Sequence, residues 1–217
     1  MASTYTRKEI LRIVITAAKD YDEKLKGNNY IFIYLDKYTK EICFFETLFL
    51  ARHFQHLTGL DYIDSKGNIR RNSVDFYNKC ISNQIAEKEI CLRKDGTTKL
   101  KMEALPRLVN FLYLSKITVT YNGIRPKLTV DRLVGNVNYC LGFTKEKRYF
   151  MPSSCLLEDI RNLGNDSSQI LVIMSKKADG SEKVYKDIRY AAKGVELNKL
   201  AFSDDLKKLI FFNQNKG

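Results

Sequence analysis

An almost wholly apolar run, Ile170–Met174, constrains the fold of this chain more than any other stretch. It lies between a polar loop at Gly164–Ser168 and a turn at Asp179-Gly180, which is the pattern of a strand buried on both faces. We therefore predict a central strand over Gln169–Lys176. A second segment, Ile117–Tyr121, alternates apolar and polar residues and predicts a half-buried strand.

The remaining elements come in blocks of helices and strands. A capping box at Thr6 and Glu9 begins an amphipathic helix predicted over residues 5–26, and Tyr30–Leu35 with Glu41–Phe49 predict a hairpin. Further helices are predicted at Val74–Asn83 (capped by Ser73), Thr98–Leu114 (broken at Pro106) and Asp204–Phe212 (capped by Ser203), and further strands at Ile85–Leu92, Lys127–Asp131, Asn136–Phe143, Lys147–Met151 and Lys183–Asp187. This order predicts an α+β fold with helices packed on one face of an antiparallel sheet.

The length and composition fit one domain. The chain has 217 residues, of which 44% are hydrophobic, and no shift in composition marks a boundary within residues 1–217. Residues 61–114 are the least regular part, and a helical insertion there is the alternative interpretation.

The charge indicates the class of partner. A formal net charge of +12 favours a polyanion, with nucleic acid ahead of an anionic membrane surface, although a solvated basic surface without a partner is the plain alternative. The five cysteines are scattered without a C-x-x-C pair, and no signal peptide is evident. We therefore expect reduced thiols, a cytoplasmic location and no membrane span.

Both histidines lie in one segment, Phe49–Gly59, where the second hairpin strand is expected to run out into a loop. Imidazole is the side chain best suited to proton transfer near neutral pH, so an enzyme of that type would place its chemistry here. A metal site built from both histidines is an alternative, which the lack of nearby carboxylates or thiols disfavours. Glycine-rich phosphate loops and the carboxylate clusters of two-metal nucleases are not evident either. We expect neither a metal nor a cofactor.

Several motifs resemble those of one protein family. They are Phe54–Gly59, Phe76–Cys80, Lys101–Leu108, Tyr121–Leu128, Asp131–Val137, Tyr149–Pro152, Leu157–Arg161 and Ile170–Ile173. As a set they are similar to a phage-borne branch of the barnase–EndoU–colicin–RelE-like nucleases. The resemblance implies a small α+β fold with a curved antiparallel sheet and metal-free RNA cleavage.

Such cleavage uses the 2′-hydroxyl as nucleophile and needs a base, an acid for the leaving 5′-oxygen and a cation for the phosphorane. The catalytic candidates are His56, Thr58, Lys127 and Tyr149. His56 would be the base or acid, unless it is tied into the core. Thr58 would bind phosphate or position His56, unless it only begins the turn at Gly59. Lys127 would hold the scissile phosphate, unless it is only an exposed charge at a strand start. Tyr149 would donate a proton or stack a base, unless it fills a sheet face.

Six further residues are candidates for binding nucleic acid: Arg52, His53, Arg125, Arg132, Asn136 and Arg161. His53 is expected at the surface. Arg125 is useful only if the sheet carries it beside His56, and is otherwise an exposed charge at a strand start. Arg161 shares a turn with Asp159, where an internal ion pair is the alternative.

Two functions follow from these observations. The leading hypothesis is a phage or mobile-element ribonuclease that acts on RNA in a bacterial cytosol. The alternative is a non-catalytic counter-defence protein that binds nucleic acid or protein and blocks a host nucleoprotein. A structural virion protein is a third, weaker interpretation. The nuclease hypothesis requires an open groove in which fixed cations lie beside the His56 ring.

Overall fold

A computed structural model describes residues 5–93, 96–123 and 128–211 of the protein. Along the chain, strands alternate with helices. The strands are β1 (Asn28–Leu35), β2 (Ile42–Leu48), β3 (Leu60–Tyr62), β4 (Ile90–Leu92), β5 (Ile117–Thr120), β6 (Arg132–Gly135), β7 (Cys140–Glu146), β8 (Tyr149–Leu156), β9 (Ser168–Lys177) and β10 (Asp187–Ala191). The α-helices are α1 (Arg7–Lys24), α2 (Ala51–Thr58), α3 (Ser73–Ile81), α4 (Thr97–Ala104), α5 (Phe111–Leu114) and α6 (Asp204–Leu209). Within the described residues, no helix is both long enough and apolar enough to cross a membrane.

Seven of the strands close into a barrel. Their order is β1-β2-β8-β7-β6-β5-β9, and β9 pairs again with β1. Neighbouring strands in the barrel are antiparallel, except that β2 and β8 run parallel. β10 adds an eighth strand alongside β9, and β3 and β4 form a separate two-stranded sheet. The barrel closes because β1 pairs along both of its edges, with β2 on one side and with β9 on the other.

Aromatic side chains fill the barrel and continue into the helical layer. Phe32 and Phe45 stack with their ring centroids 5.1 Å apart. Phe111, from α5, reaches the same group, with its ring 6.1 Å from that of Phe32 and 6.0 Å from that of Phe143. The buried cluster that contains these rings also includes Tyr21 of α1, so the barrel and the helices share one core.

The outer surface of the barrel carries a second buried cluster. Ile31 and Ile33, which alternate with the inward-facing residues of β1, pack there with Leu206 of α6 and with Phe202. Helices therefore cover the barrel from more than one side. The α+β class is confirmed, but the expected sheet with helices on one face is wrong, because β1 is apolar on both faces and needs cover on both.

Elements with strong local signals are confirmed. The capping box of α1 is present, since the Glu9 N–H donates to the Thr6 hydroxyl at 3.2 Å and the Thr6 N–H donates to the Glu9 carboxylate at 2.7 Å. The β1–β2 hairpin and the long strand β9 are also confirmed. Pro106 lies in a 3-10 segment, Leu105–Asn110, which separates α4 from α5.

Several local predictions are wrong. The histidine segment is not a loop but helix α2, because Phe54 and Leu57 form a buried face at helical spacing. The cap of α3 is Asn72 rather than Ser73. No strand includes residues 128–131, and Lys127, the first residue of that predicted strand, lies outside the described residues.

Phe111 provides a direct test of this core. We expect Phe111→Ala to lower the free energy of unfolding by about 3–5 kcal/mol, because the ring is fully buried and its removal leaves a cavity. Urea denaturation measures the change. Tyr113→Ala, in the same short helix but at a side chain that is 74% exposed, is the matched control and should change stability by less than about 0.5 kcal/mol. Equal effects of the two substitutions would contradict the packing described here.

Candidate active site

A cleft of about 600 Å³ lies between α2, α4 and the β7–β8 hairpin. Its lining is basic and hydroxyl-rich on several sides, and the lining residues are Arg52, His53, His56, Ser73, Arg93, Thr97, Lys101, Leu128, Thr129, Val130, Thr144, Glu146, Met151, Pro152, Ser153 and Ser154. Both histidines of the chain are therefore in the cleft, and both come from α2.

A glycine allows α4 to approach the end of α2. Gly59 follows the last residue of α2 with φ +64°, the left-handed conformation that commonly ends a helix. A Cβ atom at this position would lie 2.8 Å from Cδ of Lys101 and 3.3 Å from Cα of Thr98. The missing side chain is thus required both by the backbone conformation and by the contact with α4.

Side chains of α4 satisfy the free carbonyl groups at the end of α2. Lys101 Nζ donates to the His56 carbonyl at 2.7 Å, and the Thr98 hydroxyl donates to the Gly59 carbonyl at 2.6 Å. Helix ends leave such carbonyls without intrahelical partners, and a cation there also interacts favourably with the helix dipole. The hydrogen bond fixes the Lys101 ammonium group next to His56.

The His56 ring is exposed in the cleft and faces positive charge. Partial desolvation, followed by the charges of Arg93 and Lys101, lowers the pKa of His56 below its usual value. Arg93 is itself held by Asp61, with Nε 3.2 Å from the carboxylate. The structure therefore provides the condition that the nuclease hypothesis needs, an open groove with cations beside this ring.

His53 has a different environment, and its expected surface position is wrong because only 5% of the residue is exposed. The Leu50 N–H points at Nδ1 from 3.3 Å, and Arg52 Nε points at Nε2 from 3.1 Å. An imidazolium has no lone pair, so protonation would place N–H groups against donors on both sides of the ring. Burial, and then the charges of Arg52 and His56, lower the pKa of His53 to about 4.

The opposite wall of the cleft supplies a carboxylate and hydroxyl groups. Glu146, near the end of β7, pairs with Arg52 at 3.1 Å. The same arginine contacts His53, so it links the two walls. The Thr144 hydroxyl donates to the Thr129 carbonyl at 3.0 Å, which fixes the segment after residue 127 against β7. Glu146 is the carboxylate among the described lining residues.

Two other catalytic candidates, Thr58 and Tyr149, are not in the cleft lining. Thr58 is fully buried, and its hydroxyl donates to the Gln55 carbonyl at 2.8 Å and accepts from the Leu60 N–H at 3.2 Å. Tyr149 lines an adjoining depression, where the Arg148 guanidinium contacts its hydroxyl. Lys127 and Arg125 lie outside the described residues.

Three nucleic-acid-binding candidates have local partners elsewhere. Arg132 lies in β6 with its guanidinium 5.0 Å from the Phe45 ring centroid. Asn136 accepts two backbone N–H groups, from residues 138 and 139, and so stabilises a turn. Arg161 forms a fork with Asp159, with its closest N···O distance 2.6 Å, which is the ion pair that the sequence left as the alternative. Of the five candidates that the structure describes, Arg52 and His53 line the cleft and the other three do not.

Arg93, Lys101 and Glu146 were not among the predicted site residues. Lys101 begins one of the family motifs, but nothing in the sequence relates these three residues to His56, because tertiary packing of α2, α4 and the hairpin brings them together. One signal was available for α2 itself, since Phe54 and Leu57 precede a glycine at the position typical of a helix end. Among the residues that the structure describes, no group of three or more His, Cys, Asp or Glu side chains could hold a metal ion.

The buried His53 predicts a pH-dependent stability. The unfolded chain binds a proton at this imidazole near pH 6.5, whereas the folded protein does so only near pH 4. The free energy of unfolding should therefore be highest above pH 6.5 and fall by about 3 kcal/mol as the pH drops through that window. Urea denaturation at a series of pH values measures it. His53→Gln should flatten the dependence, and an unchanged slope in that variant would contradict the assignment.

The chain was compared with known proteins. One family model, described as phage-Barnase-EndoU-ColicinE5/D-RelE like nuclease4, matches residues 13–194, which include every strand of the barrel and the whole cleft. No curated protein matches the chain, and no solved structure does. Since the match extends over most of the sequence, the chain belongs to this family of phage barnase–EndoU–colicin–RelE-like nucleases.

Proposed function

We propose that this protein is a metal-independent endoribonuclease that cleaves RNA by attack of the 2′-hydroxyl on the adjacent phosphate. One observation carries the proposal: the cleft presents the His56 ring beside Arg93 and Lys101, with Glu146 on the opposite wall. The family and the net charge of +12 support a nucleic acid substrate.

His56 is the general base in this proposal. Its lowered pKa keeps the ring neutral at neutral pH, and a neutral imidazole can accept the proton of the 2′-hydroxyl. His53 does not compete for this proton, because its pKa of about 4 is lower still and its ring is buried.

The cations act on the charge that develops at phosphorus. Attack of the 2′-oxygen produces a phosphorane with additional negative charge, and fixed cations in a partly desolvated cleft stabilise it. Lys101 is fixed by the His56 carbonyl and Arg93 by Asp61, so both are positioned before substrate binds.

The leaving 5′-oxygen needs a proton from a second source. The 2′-oxygen and the leaving 5′-oxygen lie on opposite sides of the phosphorus, so one side chain on one wall serves only one of them. Glu146, the carboxylate of the opposite wall, is paired with Arg52 at 3.1 Å, and an ion-paired carboxylate accepts hydrogen bonds but has no proton to donate. Water in the open cleft therefore supplies the proton to the 5′-oxygen, the His56 imidazolium returns its proton to solvent, and Glu146 positions the Arg52 guanidinium.

His56 is the first residue to test. We expect His56→Gln to reduce cleavage of mixed RNA in EDTA by about 100- to 10,000-fold, the range of general base catalysis. The measurement is the rate of appearance of products with 2′,3′-cyclic phosphate ends. Circular dichroism and thermal unfolding check that the variant is folded.

Two results would overturn the proposal. One is intact RNA with wild-type protein in EDTA over a wide range of enzyme concentration. The other is equal cleavage by wild type and His56→Gln. If the wild type leaves RNA intact and both proteins have the same effect on infected cells, the non-catalytic counter-defence function replaces the nuclease.

The pH profile tests the electrostatics of the cleft. kcat/KM should rise with pH through a pKa below 6.5, because the base works in its neutral form. In Lys101→Gln the loss of a cation removes repulsion from the imidazolium, so this pKa should move upward, and the acid limb of the profile with it. NMR titration of the His56 Cε1–H signal gives the pKa independently of turnover. A pKa that stays in place or falls in Lys101→Gln would contradict the role of this lysine.

A further inference from the structure

Two further depressions continue the cleft along the β7–β8 hairpin. The first is lined by Arg52, Glu146, Lys147, Arg148, Tyr149 and Met151, and it shares Arg52, Glu146 and Met151 with the cleft. The second is lined by Phe44, Phe45, Glu46, Lys145, Lys147, Arg148 and Phe150, and it shares Lys147 and Arg148 with the first. The three depressions therefore adjoin one another in series, from the cleft along the Glu146 and Tyr149 face of the hairpin and around its turn to the Lys145 and Phe150 face.

This surface is cationic and carries aromatic rings. Lys145, Lys147 and Arg148 are exposed. Lys145 Nζ lies 5.9 Å from the Phe150 ring centroid, and the Arg148 guanidinium lies 4.6 Å from the centroid of Tyr149. A positive groove with flat aromatic or guanidinium surfaces is the combination that binds single-stranded nucleic acid, because phosphates pair with the cations and bases stack on the planes.

A buried carboxylate lies next to the Nε atom of Arg148. Glu46 in β2 is only 7% exposed, and the Tyr185 hydroxyl donates to it at 2.6 Å. Arg148 Nε lies 3.9 Å from the other carboxylate oxygen. The side chain of Arg148 is therefore oriented by the barrel while 64% of it remains exposed to a ligand.

We infer that this hairpin surface, made of Lys145, Lys147, Arg148, Tyr149 and Phe150, binds the single-stranded flank of the RNA whose scissile phosphate lies in the cleft. The inference rests on the proposed function for the identity of the substrate. It assigns a substrate class to the site, a single strand that extends beyond the cleaved bond, and it gives Arg148 and Lys147 a role in binding.

The length of the surface fits several nucleotides. Ser153 in the cleft and Tyr149 at the turn are four residues apart on β8, which is about 13 Å along an extended strand. Successive phosphates of one stacked strand are about 3.4 Å apart along the helix axis. The hairpin therefore spans at most about four phosphate spacings, and fewer where the bases stack on the protein rather than on one another.

The test measures binding and its salt dependence with the double variant Lys147→Asn/Arg148→Gln. Lys147 has φ 55°, a conformation that asparagine adopts more readily than most residues, so the turn should persist. The probe is a fluorescent single-stranded 2′-O-methyl RNA of about 12 nucleotides, within the site sizes of single-strand-binding proteins. The 2′-O-methyl groups remove the attacking hydroxyl, so fluorescence anisotropy reports on binding alone.

We expect the double variant to bind more weakly and to lower the slope of log K against log salt by about 1.4, or about 0.7 for each lost phosphate contact. The control Lys207→Gln/Lys208→Gln removes the same charge from exposed positions on α6 and should keep the wild-type slope. A slope for Lys147→Asn/Arg148→Gln equal to that of the wild type would overturn the inference, as would tighter binding of a duplex of the same length. Binding with the expected slopes together with failure to cleave unmodified RNA would overturn the proposed function and leave the binding surface supported.

Discussion

The structure depends on the pairing of β1 along both of its edges. Because β1 joins β2 on one side and β9 on the other, the sheet closes, and each remaining strand of the barrel has a fixed neighbour. Closure also sets β8 parallel to β2, with Glu46 opposite Tyr149. Since β2 leads directly into α2, the start of β8 and the first turn of α2 lie side by side, and Arg52 can reach Glu146. The two walls of the cleft are thus a consequence of how the barrel closes.

The same residues serve the fold and the chemistry of the cleft. Lys101 satisfies a carbonyl group that α2 would otherwise leave without a partner, and its position lowers the pKa of His56. Only 8% of Lys101 is exposed, so its charge is screened less by water than a surface charge would be. Gly59 makes this arrangement sterically possible. A substitution there would disturb the end of the helix and the electrostatics of the site together.

The sequence predicted those parts of the fold that have local causes. A capping box defined the start of α1, an apolar run defined β9, and Pro106 separated α4 from α5. Barrel closure was not predictable, because strand pairing between distant segments leaves no local pattern. Among the lining residues of the cleft, His56 was a candidate from its residue type and from the family resemblance. Lys101 and Glu146 were not, since their relation to His56 exists only after α4 and β7 have packed around α2.

Helix α2 places two imidazoles close together in different environments. His53 and His56 are three positions apart, so they share a helix face, and charge on one disfavours charge on the other. Burial against Leu50 and Arg52 makes His53 the ring that stays neutral. The proton that this pair can accept near neutral pH therefore goes to His56, the exposed ring beside the cations. In the proposed mechanism, proton transfer therefore belongs to one of two chemically identical side chains, chiefly because the other is buried beside a cation and two hydrogen-bond donors.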